Sequence, residues 1–119
     1  KEKVVLVTET PPTVAQSAPK VVTEPTVEQI IRNAAKKYGI GEDYFLSIAM
    51  CESTLNPKAV NKNYYDNGHP SGLFQHISGY YPARAIKYGY STDVFDAYSN
   101  ANVTAAMFAD GLQRYWECK

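Results

Sequence analysis

The feature that most constrains this chain is where its prolines fall. Four of the seven, Pro11, Pro12, Pro19 and Pro25, lie in the first 25 residues, a stretch with no glycine, aromatic or cysteine. Val, Thr, Glu, Lys, Pro and Ser dominate there, and three positive charges face three negative ones. Such a segment cannot bury enough apolar surface to offset the entropy of ordering it. Residues 1–25 are therefore expected to form an extended, flexible linker, with an edge strand over Val4–Thr8 as the less favoured alternative. A folded domain is left to residues 26–119.

Charge limits what that domain can bind. Lys and Arg number 12 and so do Asp and Glu, which gives a pI near 6.9. A nucleic-acid binder needs a basic stripe, and a polybasic membrane-surface protein needs a similar excess; neither is present. No apolar run approaches the ~18 residues of a bilayer span. No secretory signal is expected either: Val4–Val7 is too short for its apolar region, and no small-residue cleavage site follows. A chain without an initiator Met is expected to be a mature or trimmed form. Tyrosine is over-used, 10 residues against 4 Phe and 1 Trp. Its flat apolar face and polar tip suit a binding groove, or equally the edge of a small core.

From Pro25 onward the pattern is helical. Thr26 and Gln29 form a capping-box pair ahead of Val27, Ile30, Ile31 and Ala34, and Gly39 supplies a stop. A second helix is expected from Glu42-Asp43 to about Ser53, with Pro57 barring its continuation. Residues 61–79, rich in Asn, Tyr, Gly, Pro, Ser and His, read as a long structured loop with at most three residues of strand. A short helix is expected over Pro82–Tyr88, ended by Gly89. The last is expected over Asn102–Glu117, with Phe108, Leu112, Tyr115 and Cys118 along one side.

One carboxylate breaks an apolar face. In the second helix Phe45, Ile48, Ala49 and Glu52 stand at i, i+3, i+4 and i+7, so they share one side. Burial and the negative end of the helix dipole both raise a carboxylate's pKa. A protonated Glu at neutral pH is what a general acid requires. A helix-end Glu facing solvent is the competing reading of the same spacing.

The surrounding string, Glu52-Ser53-Thr54-Leu55-Asn56-Pro57, is followed by Gly72-Leu73-Phe74-Gln75 and later by Asp96 and Asn102-Val103. Taken in that order over residues 26–117, these segments resemble the soluble lytic transglycosylases, relatives of goose-type lysozyme. The resemblance implies an all-α fold within the α+β lysozyme-like superfamily: a small helical domain with a glycan cleft. It makes Glu52 the catalytic acid/base, Ser53 a neighbour that orients the site, and Asn56-Pro57 the end of the catalytic helix. Phe74 and Gln75 would stand in the cleft wall, with Gln75 facing the glycan, and Asn102 would cap the last helix near the sugar's acetamido group. The family's aromatic beyond the Asn-Ile pair falls near Ala109, which is not aromatic, so Phe108 or Tyr115 would serve instead.

The remaining polar residues are read beside that resemblance. Asp66 is either a second carboxylate that holds a water or, preferred, part of the Asp66-Asn67-Gly68 turn. Asp96 reads as a loop or capping residue. His69 and His76, seven apart, match no common zinc spacing. Cys51 shares the stripe Tyr44, Ile48, Cys51, Leu55, and Cys118 shares the last helix's apolar side. Two inward cysteines on separate helices point to a disulfide and an oxidising compartment; free thiols and a nucleophilic Cys51 rank below. Tyrosines 64, 65, 80, 81, 88 and 90 divide between glycan subsites and core in a way the sequence does not sort, with Tyr80 taken as a glycan contact. The expected activity is cleavage of peptidoglycan between N-acetylmuramic acid and N-acetylglucosamine outside the cytoplasm. No metal or organic cofactor is implied, and the linker suits tethering to a membrane, wall or larger protein. Hydrolytic muramidase action, or a non-catalytic glycan-binding module, are the alternatives.

Overall fold

In a computed structural model the described residues are 24–118. The linker expected over residues 1–25 therefore lies, but for Glu24 and Pro25, outside them. The domain is mostly helical, as the sequence implies. Helix α1 (Val27–Tyr38) opens on the full Thr26/Gln29 capping box and closes on Gly39 at φ 74°. Helix α2 runs Glu42–Ser53 and helix α3 runs Tyr81–Tyr88, which Gly89 stops at φ 85°. Between them, strands β1 (Pro70–Ser71) and β2 (His76–Ile77) form a short antiparallel hairpin, Pro70 opposite Ile77 and Ser71 opposite His76.

The fourth helix departs from the expectation. Helix α4 spans Ala97–Ala109, five residues earlier than its expected start, because the Asp96 carboxylate caps it by accepting from the Ser99 N–H. Its end is also early. Gly111 takes φ 81°, and the Leu112 N–H returns to the Met107 carbonyl, the six-to-one bond of a Schellman stop. A single 3₁₀ turn, Gln113–Tyr115, leads into the tail. Cys118 thus lies beyond the helix rather than on its apolar side.

Helix α4 is the axis of the core. Residues 99–108 are buried without a break, as expected of a helix covered on all sides. Helix α1 lies against α4 and α2, and α3 packs on α4. From α2, Phe45 stacks on Phe74 with centroids 4.5 Å apart and meets Phe108 edge-on at 5.5 Å. Tyr81 belongs to this core, whereas Tyr64, Tyr65 and Tyr80 are exposed.

A fully buried Asn100 ties α4 to the hairpin. Its Oδ1 accepts from the Phe74 N–H at 2.9 Å and its Nδ2 donates to the Val94 carbonyl at 2.9 Å. Gly72 sits against this clamp at φ 83°, where a Cβ would lie 2.3 Å from the Val94 oxygen and 2.4 Å from Asn100 Nδ2. The chain's other tie is covalent. Cys51 and Cys118 form a disulfide with their Cα atoms 6.1 Å apart. The bridge is as expected, but Cys51 is exposed rather than inward. Of its supposed stripe only Ile48 is fully buried.

Two outcomes follow from these ties. Gly72→Ala adds a clash to an unfavourable φ and should cost about 3 kcal/mol, against about 1 kcal/mol for Gly39→Ala, whose Cβ meets open space. Equal losses in chemical denaturation would show that the Asn100 clamp yields freely. Reducing the disulfide, which closes a separation of 67 residues, should cost about 2–4 kcal/mol. Two titratable thiols in unfolded, unreduced protein made under oxidising conditions would refute the bridge.

Candidate active site

Glu52 occupies the last turn of α2, where the chain reverses abruptly. Thr54 and Leu55 both take left-handed φ values, 52° and 64°. The reversal is held by buried Ser53, whose hydroxyl donates to the Ala49 carbonyl at 3.2 Å and accepts from the Asn56 N–H at 3.2 Å. Asn56 Oδ1 then accepts from the Lys58 N–H at 2.9 Å. The Glu-Ser-Thr-Leu-Asn-Pro string is thus a device for ending a helix sharply, with Glu52 left at the rim of the core.

Beside Glu52 lies a cleft of about 760 Å³. The hairpin supplies one wall through Pro70, Gln75 and Ile77, and Tyr80 and Arg84 continue it. The tail from Tyr115 to Cys118 closes the other side. A shallower depression, lined by the chain after α2, shares Glu52, Asn61 and Gln75 with the cleft. The two hollows thus adjoin at Glu52, Asn61 and Gln75 and form the groove beside the α2 terminus.

Burial raises the Glu52 pKa above its ordinary 4.5; a long contact from the Cys118 N–H, 3.4 Å, acts the other way, and the Glu117 charge adds to the rise. The helix face read from the sequence is present: Phe45, Ile48 and Ala49 are buried and Glu52 half-buried.

Gln75, at φ 57°, turns its Nε2 to the Ala59 and Gly72 carbonyls at 3.2 and 3.0 Å. That fixes its side chain within the groove between the hairpin and the chain after α2. Tyr80 reaches the cleft and donates its hydroxyl to Asp66 Oδ2 at 2.5 Å. Asp66 itself sits in the tight turn closed by reciprocal bonds between Tyr65 and Gly68 and does not line the cleft. Two other expected glycan contacts are not brought there. Phe74 is sealed in the core against Phe45, and only its backbone serves the hairpin. Asn102 is buried inside α4 with its Nδ2 on the Tyr98 carbonyl at 2.8 Å, so it neither caps the helix nor faces the groove. Asn100, one turn after the Asp96 cap, is the asparagine that reaches across to the hairpin.

The tail brings one residue that sequence reasoning missed, Glu117, and one of the two it offered in place of the family's aromatic, Tyr115. Glu117 places a second carboxylate on the cleft, and Tyr115 an aromatic ring, while Phe108 and Trp116 belong to the core. The Trp116 indole N–H donates to the Phe74 carbonyl at 2.7 Å and so fastens the tail to the hairpin.

Behind the cleft runs a directed hydrogen-bond chain. Arg84 can only donate, so its Nη1 gives a bond to His76 Nδ1 at 3.0 Å. His76 Nε2 must then carry the proton and donate to Thr104 Oγ1 at 2.7 Å, and Thr104 donates to the Asn100 carbonyl at 2.7 Å. Burial, with Arg84 adding to it, holds the His76 pKa well below its usual value, so the ring is neutral. His69 instead directs Nδ1 at the Asn61 and Asn63 carbonyls, both at 3.1 Å. No group of three or more His, Cys, Asp or Glu among the described residues converges as a metal site.

Comparison with known proteins agrees with this architecture. No curated protein and no solved structure gives a significant match. The profile of the transglycosylase SLT domain matches residues 29–117, which takes in Glu52, the hairpin, α4 and the tail through Glu117. The chain therefore belongs to the transglycosylase SLT domain family, whose lysozyme-like fold serves the lytic cleavage of peptidoglycan.

Proposed function

We propose that this domain cleaves the β-1,4 bond between N-acetylmuramic acid and N-acetylglucosamine, with Glu52 as both acid and base. The observation that carries this reading is a half-buried carboxylate of raised pKa that lines both the cleft and the depression next to it. A polymer lying across both would present an internal bond to Glu52. Protonated Glu52 would donate to the glycosidic oxygen as the bond breaks. The same carboxylate would next accept the proton of the muramyl 6-hydroxyl as that oxygen closes on the anomeric carbon, giving a 1,6-anhydro end. The intramolecular hydroxyl gains over bulk water through proximity. Gln75 and Tyr80 would contact the glycan, and Ser53 would act by holding the α2 terminus in place.

The substrate puts the site of action outside the cytoplasm, in keeping with the disulfide. Among the described residues no helix is long and apolar enough to cross a membrane. The proline-rich segment of residues 1–25 would tether the domain while letting it search the wall.

Glu117 supports one alternative. A hydrolase needs a second carboxylate, ~6.5–9.5 Å from the acid to hold a water or ~5–5.5 Å away as nucleophile. Asp66, the sequence's candidate for this, is engaged by Tyr80 away from the cleft, whereas Glu117 lines it. On that reading the protein is a muramidase.

Two kinds of measurement test the proposal, the first on Glu52 and the second on the products. Glu52→Gln should lower the rate of wall clearing by at least ~10²; an unchanged rate would remove Glu52 from the mechanism. In the wild type the alkaline limb of kcat/KM should report loss of the Glu52 proton, displaced upward from 4.5. The raised pKa also fixes a stability sign. The burial cost is absent below 4.5 and grows as pH rises through the folded value, so Glu52→Gln should out-stabilise the wild type at pH 7 and lose that advantage at pH 4. Secondly, mass spectrometry of the released muropeptides should find ends one water lighter than reducing ends. Hydrated products that vanish in Glu117→Gln would make the protein a muramidase, and walls bound but not cleared would make it a glycan-binding module.

A further inference from the structure

Arg84 stands on the cleft wall with its guanidinium between two aromatic rings, 5.7 Å from the Tyr80 centroid and 5.6 Å from that of Tyr115. One of its five N–H groups is spent on His76, and that bond holds the fork in a fixed plane because His76 is itself locked to Thr104. The ion pairs among the described residues all belong to Arg32, on the surface. Asp66, the acid bound to the far end of Tyr80, gives its oxygen to the tyrosine hydroxyl instead. Arg84 is therefore a half-buried cation with no acid partner, and burial pushes its pKa down. A cation left so is costly, and the cost is recovered when an anion arrives. A planar fork held by ring stacking and one buried hydrogen bond is pre-organised for a carboxylate, which it can meet with two parallel bonds.

The sugar rings of the proposed substrate are uncharged. Their anionic groups hang from the 3-O-lactyl arm of the muramyl unit, either as the free lactyl carboxylate or as carboxylates of the peptide attached to it. We propose that Arg84 is a specificity-determining residue that binds a carboxylate on the lactyl arm of the muramyl unit seated beside Glu52. The inference rests on the glycan reading of the cleft and adds the substituent that the cleft selects. Tyr80 and Tyr115 hold the guanidinium in place, and His76 acts as a positioning residue behind it.

The test compares soluble glycan strands that carry stem peptides with strands stripped to free lactyl groups, each also with its carboxylates converted to methylamides. The full chain should lose about 10- to 100-fold in kcat/KM, mainly through KM, when the carboxylate it binds is amidated. Whichever strand type shows that loss identifies the lactyl or the peptide source. Arg84→Gln should abolish the discrimination, and Arg84→Lys should restore part of it. Discrimination persisting in Arg84→Gln, or absent from the wild type, would overturn the proposal. A readout that needs neither turnover nor a variant is the Arg84 Nε–H resonance of the wild-type protein. It should shift saturably with N-acetylmuramic acid or muramyl dipeptide and not with N-acetylglucosamine. A resonance unmoved by both acids refutes the carboxylate site even if the variants fail to fold. A protein that cleaves no strand but shows the shift would refute the enzymatic reading alone.

Discussion

The fold depends on a pair of hydrogen bonds from one buried amide. Asn100 accepts from the Phe74 N–H and donates to the Val94 carbonyl, so the central helix, the hairpin and the chain entering α4 are fixed relative to one another at a single point. Either backbone group left unpaired in this interior would cost about 1–3 kcal/mol. The amide satisfies both at once, and the backbone carbonyl of the same residue closes the hydrogen-bond chain from Arg84. Gly72 follows from it, since no side chain fits between the amide and the turn. The groove inherits its shape from that contact, because Gln75 can line it only while the hairpin is pinned to α4.

Two charged groups in the cleft are set against their own solvation. Glu52 is held partly out of water by the end of α2 and the tail, which favours its protonated form. Arg84, which cannot give up its charge, is held between rings by a histidine that is itself too buried to protonate. Burial thus adjusts the protonation of the acid, while the half-buried arginine keeps its charge. The Cys118 N–H and the Glu117 charge act on Glu52 in opposite directions, so the tail tunes the acid as well as covering it.

Local chemistry made much of this legible in the sequence. The Thr26/Gln29 box, Gly39 and Gly89 act within a turn of their own positions, and α1 and α3 follow from them. The apolar side Phe45, Ile48, Ala49 is a matter of period, and it led to Glu52. What escaped depends on contacts between distant segments. Asp96 reads as a loop or capping residue, yet a helix start put at Asn102 rather than Ala97 gives the cap to an asparagine that is buried within α4. Phe74 was assigned to the glycan with its motif, although the turn sends both Leu73 and Phe74 into the core, where Phe74 stacks on Phe45. Arg84, Tyr115 and Glu117 meet around the cleft because a tail after Gly111 folds back over α2. Nothing periodic announces such a path; only the cysteine at its end hinted at it.

That returning tail has a consequence for the order of events in the life of the molecule. One side of the groove is built from residues 115–118, the last of the domain to be synthesised, and it is fastened by a bond to a residue 67 positions earlier. Helices α1, α2 and α4 can pack while that wall is still missing. The groove becomes whole only once the tail has been made and has folded back, and thiol oxidation then locks it there, so the acid is enclosed late. For a member of a family that acts on peptidoglycan, such timing ties the finished groove to a compartment where thiols oxidise.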